Sequence, residues 1–166
     1  VFKIKSDPAQ SMIDPKKKQQ ILRYCAGQDR SHLEVRLKLI QLKVYGADLE
    51  SILSELIQQD FLNEERFARS FVRGKFRMKG WGREKIGHEL ARHELSDYIL
   101  RKAWEEIDEE EYKESARDQA HKIAQPLIVS RLPVPQIRKK TYDTLRRRGF
   151  EHDIVWDAVQ GLELPD

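Results

Sequence analysis

Residues 52–57, Ile-Leu-Ser-Glu-Leu-Ile, decide the fold, because their apolar side chains stand at positions i, i+1, i+4 and i+5. This spacing places the four side chains on one face of an α-helix, which has about 3.6 residues per turn. The same pattern returns at residues 99–104 and 154–159, after 47 and 55 positions. A hydrophobic pattern that recurs at such an interval indicates an internal repeat. The repeated positions are Ile52, Leu53, Leu56 and Ile57, then Ile99, Leu100, Ala103 and Trp104, then Ile154, Val155, Ala158 and Val159.

We call each of these three sets of apolar positions a stripe. Before each stripe there is a leucine, four residues ahead of a position suited to a tight turn. The leucines are Leu42, Leu90 and Leu145, and the turn positions are Gly46, Glu94 and Gly149. Glycine readily adopts the left-handed backbone that closes many helices, so Gly46 and Gly149 predict helix ends. A further helical stretch precedes each pair of helices, at residues 17–26, 64–78 and 109–124. We therefore predict an all-α fold of three tandem three-helix repeats that resemble helix-turn-helix units.

The repeat predicts a division of the chain into four parts. These are an N-terminal tail at 1–14 and three-helix repeats at 15–60, 61–107 and 108–166. The third repeat contains three prolines between residues 126 and 135. Proline disrupts a helix interior, so this segment is predicted as a loop that accounts for the longer third spacing.

The composition and hydropathy of the chain argue against a membrane-spanning or secreted protein. The chain has 166 residues, of which 36% are charged, and a net charge of +3. Its single cysteine, Cys25, predicts a reducing compartment. There is no apolar run of about 18 residues and no signal-peptide pattern, so we expect a cytoplasmic protein with no membrane partner.

The helix at 64–78 carries arginines along one side. At 100° per residue, four arginines fall within one arc, while Phe67, Ala68, Phe71, Val72 and Met78 fall opposite them. This pattern predicts a core face and a cationic face, and the cationic run continues beyond the helix. The candidate contacts to nucleic acid or to an acidic protein surface are Arg66, Arg69, Arg73, Lys75, Arg77, Lys79, Arg83 and Lys85. A solvated face without a partner is the alternative interpretation.

A second basic cluster lies in the second helix of the third repeat. Its candidate contacts are Lys139, Lys140, Arg146 and Arg147. An acidic stretch at 105–114 separates the two basic clusters along the chain. That stretch is interpreted as solvated charge at a helix N-terminus, or as a site for a basic partner.

Aromatic residues near the first basic cluster allow two interpretations. Phe76 and Trp81 are predicted on or beyond the polar side of the helix, where they could stack on a base or a partner side chain, or pack against the next repeat. Trp104 belongs to an apolar stripe and is expected in the core.

Enzyme motifs are absent from the sequence. Residues 80–82, Gly-Trp-Gly, follow no strand and lack the third glycine of a dinucleotide-binding motif. The five histidines are scattered and lack the spacing of a metal pair. We predict a non-enzymatic protein with no catalytic, cofactor-binding or metal-binding residues.

Two segments resemble the RecX family of bacterial recombination regulators. They are residues 61–73, Phe-Leu-Asn-Glu-Glu-Arg-Phe-Ala-Arg-Ser-Phe-Val-Arg, and residues 79–90, Lys-Gly-Trp-Gly-Arg-Glu-Lys-Ile-Gly-His-Glu-Leu. Residues 30–34 and 148–151 are similar to the corresponding elements of the first and third repeats. The resemblance implies an elongated, curved array of three repeats. Glu94 departs from the glycine that the family often has in the middle repeat.

The resemblance also implies a function without chemistry of its own. A RecX protein is expected to bind the filament of the RecA recombinase on single-stranded DNA and to restrain its ATPase, strand-exchange and coprotease activities. The predicted partners are therefore the RecA filament, single-stranded DNA and, as a further option, double-stranded DNA. The protein itself is expected to be a monomer. Two alternatives remain open, namely a helix-turn-helix transcriptional regulator and a helical adaptor that binds only protein.

Overall fold

A computed structural model of the chain describes residues 14–165. Within that range all regular secondary structure is helical, which confirms the predicted all-α class. The α-helices of the described residues are α1 (Pro15–Gly27), α2 (His32–Gln41), α3 (Gly46–Gln58), α4 (Glu64–Arg77), α5 (Arg83–Leu90), α6 (Asp97–Trp104), α7 (Glu109–Val129), α8 (Val134–Arg147) and α9 (His152–Gln160). A short 3₁₀ turn at Ala91–His93 follows α5. The predicted N-terminal tail lies, apart from Asp14, outside the described residues.

The chain divides into two compact units, and the boundary falls within α4 between Phe67 and Ala68. The first unit contains α1, α2 and α3, whose inward faces form one apolar cluster. Its buried members include Ile21, Val35, Leu39, Leu49, Ile52, Leu53, Leu56 and Leu62. Helix α2 starts at a capping box, because the Glu34 amide donates to Ser31 Oγ and the Ser31 amide donates to the Glu34 carboxylate.

The second unit contains most of α4 and the helices from α5 to α9. Helices α7, α8 and α9 pack pairwise against one another. Fully buried side chains from each of these helices include Tyr112, Ile137, Leu145 and Val155. Residues with this depth of burial in a short helical unit supply most of its stability.

The third helix of every repeat begins three residues after a left-handed residue. Lys43, Glu94 and Gly149 have φ of 57°, 55° and 88°, and α3, α6 and α9 begin at residues 46, 97 and 152. The predicted helix end at Gly149 is confirmed. Gly46 has the expected left-handed backbone, with φ of 57°, but it is the first residue of α3 and does not end a helix. The predicted helix end at Gly46 is therefore wrong, because α2 ends at Gln41 and the left-handed residue that follows it is Lys43. A lysine at this position gives no sequence signal for a left-handed turn.

The loop in the proline-rich segment is shorter than predicted. Helix α7 continues through Pro126 to Val129, and α8 begins at Val134 with Pro135 in its first turn. The predicted loop at 126–135 is therefore restricted to residues 130–133. Helix α7 has 21 residues where α1 has 13, so the extra length of the third repeat is largely helical.

Three side chains differ in burial from their predicted faces. Met78 follows the end of α4 and is 84% exposed, because the helical periodicity that placed it in the core ends at Arg77. Phe76, predicted on or beyond the polar side, is buried four residues after Val72 on the same face of α4. Its ring lies 5.7 Å from that of Tyr112 in α7, which confirms the alternative of packing against the next repeat. Ile57 belongs to the first stripe but is 47% exposed. Over residues 14–165 no helix is long and apolar enough to cross a membrane.

Candidate filament and nucleic-acid interface

Arg66, the first predicted arginine of α4, is held by two aspartates of the first unit. Its Nε atom lies 2.8 Å from Oδ1 of Asp29, and its Nη1 atom lies 2.8 Å from Oδ2 of Asp60. Hydrogen bonding by Asn63 and the charge of Arg66 lower the pKa of Asp60. Arg66 therefore closes the turn between α3 and α4.

The next three arginines of α4 pair with glutamates of the second unit. Arg69 lies 3.0 Å from Glu106 and 3.1 Å from Glu105, and Arg73 lies 3.5 Å from Glu106. Arg77 forms a two-point contact with Glu111, whose oxygens accept from Nε and Nη2 at 2.9 and 3.0 Å. The predicted cationic face is thus an ion-pair seam between α4 and the segment from α6 to α7.

The acidic stretch at 105–114 supplies most of these partners. The predicted position at a helix N-terminus is confirmed, because Asp108 caps α7 and Glu109, Glu110 and Glu111 lie in its first turn. In addition, four carboxylates of this stretch pair with arginines of the same chain, those of Glu105, Glu106, Glu109 and Glu111. Hydrogen bonds from Lys102 and Arg69 lower the pKa of Glu105. Opposite charges at such distances compete with any external phosphate for the guanidinium groups.

Arg83 belongs to a second seam, centred on Tyr112. The Arg83 amide donates to the Tyr112 hydroxyl at 2.9 Å, and that hydroxyl donates to Glu151. The Arg83 guanidinium lies 4.1 Å from the centre of the Tyr112 ring and 2.7 Å from Glu109. Burial, reinforced by the hydrogen bond to Glu151, raises the pKa of Tyr112 far above its usual value.

Two lysines of the same region lie over an aromatic ring. Lys75 Nζ lies 4.7 Å and Lys85 Nζ lies 4.3 Å from the centre of the Trp81 ring. Lys75 also lies 5.0 Å from the ring of Phe71. We call Lys75, Trp81 and Lys85 the tryptophan–lysine cluster. A cation over a ring keeps its full charge, so this cluster can still attract a polyanion.

Lys79 and Trp81 line an open groove beside this cluster. The groove has a volume of about 580 Å³ and extends along α7 to Arg148. Glu114 and Asp118 contribute acidic side chains to its wall. Lys79 is exposed at its rim.

The four candidate residues of α8 have different surroundings. Lys139 and Lys140 are exposed, and Lys139 lies 3.5 Å from Asp143 on its own helix. Arg147 donates to the carbonyl of Asp143 and to Thr144 Oγ1. Arg146 is instead a structural contact, because its Nη1 atom donates to Glu84 and to the carbonyl of Phe150.

Comparison with known proteins shows which family this chain is similar to. A sequence model of the second three-helix domain of RecX matches residues 63–103. The regulatory protein RecX of Lactococcus lactis subsp. cremoris (strain SK11) is 30% identical over 147 residues, which cover 86% of this chain and 54% of that protein. The crystal structure of RecX from Lactobacillus salivarius matches with a TM-score of 0.76 and 26% identity, covering 87% of this chain and 93% of that one. The chain belongs to the RecX family.

The chain spans about half the length of the lactococcal RecX protein. The chain spans a larger share of other relatives. RecX of Herbaspirillum seropedicae is 28% identical over 143 residues, and the chain covers 88% of that protein. The residues matched by the RecX domain model include Arg66, Arg69 and Arg73, together with the tryptophan–lysine cluster. The cluster and the first three arginines of α4 therefore lie within the residues that the RecX domain model matches.

The sequence did not predict the hydrogen bond between Tyr112 and Glu151, which positions Arg83 at the start of α5. They are 39 positions apart, and no local pattern links a tyrosine in an acidic helix start to a glutamate before α9. The sequence does contain one signal for Tyr112, which is an aromatic side chain at the start of a charged helix. A large ring in such a segment indicates a buried position.

Proposed function

We propose that this chain regulates the RecA recombinase by binding its filament on single-stranded DNA and restraining ATP turnover, and with it strand exchange and coprotease activity. Membership of the RecX family supports the regulatory role, and relatives of this chain are named regulatory proteins. The protein acts as a cytoplasmic monomer and makes no covalent change to its partner.

The tryptophan–lysine cluster is the observation that carries this proposal to particular residues. Its two ammonium groups face a ring, while Arg69, Arg73 and Arg77 face carboxylates. The lysines can therefore deliver charge to phosphate or to acidic recombinase surface without first breaking an ion pair. Lys79 and Lys140, both exposed, extend the same kind of contact.

The proposal is tested by the DNA-dependent ATPase rate of RecA with increasing amounts of this protein. We expect the parent to lower the rate and the double variant Lys75→Gln, Lys85→Gln to need a higher concentration for the same effect. The matched control is Lys18→Gln, Lys102→Gln, which removes the same charge from lysines already paired with Glu55 and Glu105 at 2.7 and 2.9 Å. Control and parent should inhibit equally.

The affinity of the double variant also identifies the partner of these lysines. If they contact phosphates of single-stranded DNA, each lost contact lowers the slope of log affinity against log salt by about 0.7. An ATPase rate that is unchanged by the parent protein would reject the proposed function. Inhibition that is equal for the double variant and the parent would reject the assignment to the cluster.

A further inference from the structure

Helix α2 carries apolar side chains on two opposite sides. Val35 and Leu39 face the core of the first unit and are fully buried. At 100° per residue, Leu33, Leu37 and Ile40 fall within an arc of about 60° on the other side of the helix. There Leu37 is 51% exposed and Ile40 is 41% exposed. A surface helix normally has a polar outer side, so the outer side of α2 requires an explanation.

The other two repeats provide an internal comparison for this surface. Helices α2, α5 and α8 can be aligned on the left-handed residue that follows each of them, and the alignment superposes the fully buried leucines Leu39, Leu90 and Leu145. At the outer positions, the other repeats have mostly charged or polar side chains. Leu33, Leu37 and Ile40 correspond to Glu84, His88 and Ala91 in α5 and to Lys139, Asp143 and Arg146 in α8. The repeat therefore does not need an apolar outer side in order to fold.

The third repeat shows that this part of a repeat can form an interface. The guanidinium of Arg146 donates to Glu84 at 3.0 Å, and the carbonyl of Gly149 accepts from the Glu84 amide at 3.0 Å. Arg146 and Gly149 correspond to Ile40 and Lys43 of the first repeat. The equivalent surface of the first repeat is exposed and largely apolar.

The charges that flank the outer side of α2 favour a protein partner over nucleic acid. On one flank, Arg36 forms an ion pair with Glu50 of α3. On the other flank, Arg30 lies 3.6 Å from Glu34. Both flanks therefore carry paired charges, whereas a nucleic-acid backbone needs cations along its path. A contiguous apolar surface is typical of the centre of a protein interface.

The C-terminal end of α2 adds positive charge to this surface. Lys43 is exposed, and its carbonyl accepts a hydrogen bond from Nζ of Lys17 at 3.4 Å. Exposed Tyr45 follows Lys43 at the start of α3. Glu34, the acidic residue of α2, is already held by Arg30 and by the capping box, so a second copy of α2 would bring no free carboxylate to these lysines. An acidic residue of a different protein would complement them.

We propose that the outer side of α2 is a docking surface for an amphipathic helix of a protein partner, with an acidic residue beside its apolar side chains. Leu37 and Ile40 contact the apolar side of that helix, and Lys43 contacts the acid. The inference deepens the proposed function and rests on it, because the recombinase is the protein on which this chain is proposed to act.

The test measures the affinity of labelled protein for RecA filaments on oligodeoxythymidylate, by anisotropy, together with the DNA-dependent ATPase rate. The main variant is Leu37→Ser, Ile40→Ser, and Leu37→Met, Ile40→Met keeps the same surface apolar. The matched control is Val129→Ser, which removes another exposed aliphatic side chain, at the end of α7. Melting curves establish that each variant is folded. If the double serine variant melts early, Leu37→Ser alone replaces it, since Leu37 is the more exposed of the two residues.

We expect the double serine variant to lose about tenfold or more in affinity for the filament, because two apolar contacts at the centre of an interface are removed. The double methionine variant and Val129→Ser should bind like the parent. Lys43→Glu should weaken binding by about threefold or more at low salt, and the difference should shrink as salt is added. Equal affinities of the parent and the double serine variant would overturn the inference. An unchanged affinity for Lys43→Glu would overturn the acidic part of it.

The remaining outcomes separate this surface from other occupants. If the double serine variant loses affinity for bare oligodeoxythymidylate to the same extent, nucleic acid covers the surface and the inference is wrong. If the parent sediments as a dimer and the double serine variant as a monomer, a second copy covers it and the inference is equally wrong.

The ATPase rate separates this surface from the proposed function. If the parent binds filaments through Leu37 and Ile40 but leaves the ATPase rate unchanged, the proposed function fails while the docking surface stands. If the double serine variant inhibits and binds like the parent, the proposed function stands while the docking surface fails. A parent that does not bind the filament would reject both.

Discussion

Gly82 lies directly against Gly149, at the point where the N-terminus of α5 meets the turn between α8 and α9. The Gly82 amide donates to the carbonyl of Arg148 at 2.8 Å, and the Glu84 amide donates to the carbonyl of Gly149 at 3.0 Å. A Cβ atom added to Gly82 would lie 2.2 Å from the carbonyl of Gly149. The two backbones can approach this closely only because Gly82 carries no side chain.

We therefore expect Gly82→Ala to destabilise the second unit by roughly 1–3 kcal/mol, the usual effect of forcing atoms into a packed site. The matched control is Gly74→Ala in α4, where an added Cβ meets nothing within 4 Å. That variant should be neutral or more stable by up to about 1 kcal/mol, because alanine favours a helix interior. Urea unfolding would decide, and equal midpoints for the two variants would contradict the expectation.

Gly149 and Glu94 share a left-handed backbone but differ in what a substitution does there. Gly149→Val should cost roughly 1–2 kcal/mol from the backbone alone, and a Cβ would also lie 2.3 Å from that of Lys85. Glu94→Gly should instead raise stability slightly, by up to about 1 kcal/mol, since Glu94 already holds φ of 55°. Thermal melts of the two variants should shift in opposite directions, and a shift in the same direction would refute the comparison.

Leu56 and Ile57 are adjacent on α3 but differ in burial. Leu56 is 3% exposed in the core of the first unit and Ile57 is 47% exposed. Leu56→Asp should cost several kcal/mol, because a carboxylate without a partner would enter an apolar core. Ile57→Asp should shift the melting temperature only slightly. Similar losses in circular dichroism melts would show that the outer side of α3 is also covered.

Glu105 predicts a loss of stability in acid. Its pKa is lowered in the folded chain by Lys102 and Arg69, so its contribution is present above the ordinary carboxyl pKa of about 4.3 and is lost as the pH falls through the lower folded value. The melting temperature of the parent should fall as the pH is lowered from about 5 to about 3. Glu105→Gln should show a flatter profile, whereas Glu163→Gln, at an exposed position, should follow the parent. Parallel profiles for the parent and Glu105→Gln would contradict this assignment.

The helix pattern could be predicted because each repeat buries one helical face. In α6 and α9 the stripe begins at the third residue of the helix, but in α3 it begins at the seventh, one turn later. The periodicity therefore predicts the helices and their buried faces, while the register of the first repeat differs by four residues. The helix ends were less predictable. Lys43, Asp60, Glu94 and Arg131 all adopt positive φ without being glycine. Tertiary packing therefore imposes several of these turns against local preference.

The charge on the arginine face could be predicted, but not what that face meets. Periodicity places Arg69, Arg73 and Arg77 on one side of α4, yet Arg69 is 37 positions from its partner Glu106. Only the packing of α4 beside the start of α7 brings those groups together.

The arginine seam also affects what a salt titration of this protein can count. A cation that meets a phosphate releases the small ions condensed on the strand, and the slope of affinity against salt records that release. An arginine that binds a phosphate must first break its ion pair with Glu106 or Glu111, and the exposed carboxylate then attracts small cations. The net number of small ions released by that arginine is therefore small. The measured slope will therefore report the lysines and undercount the arginines, even when both touch the strand.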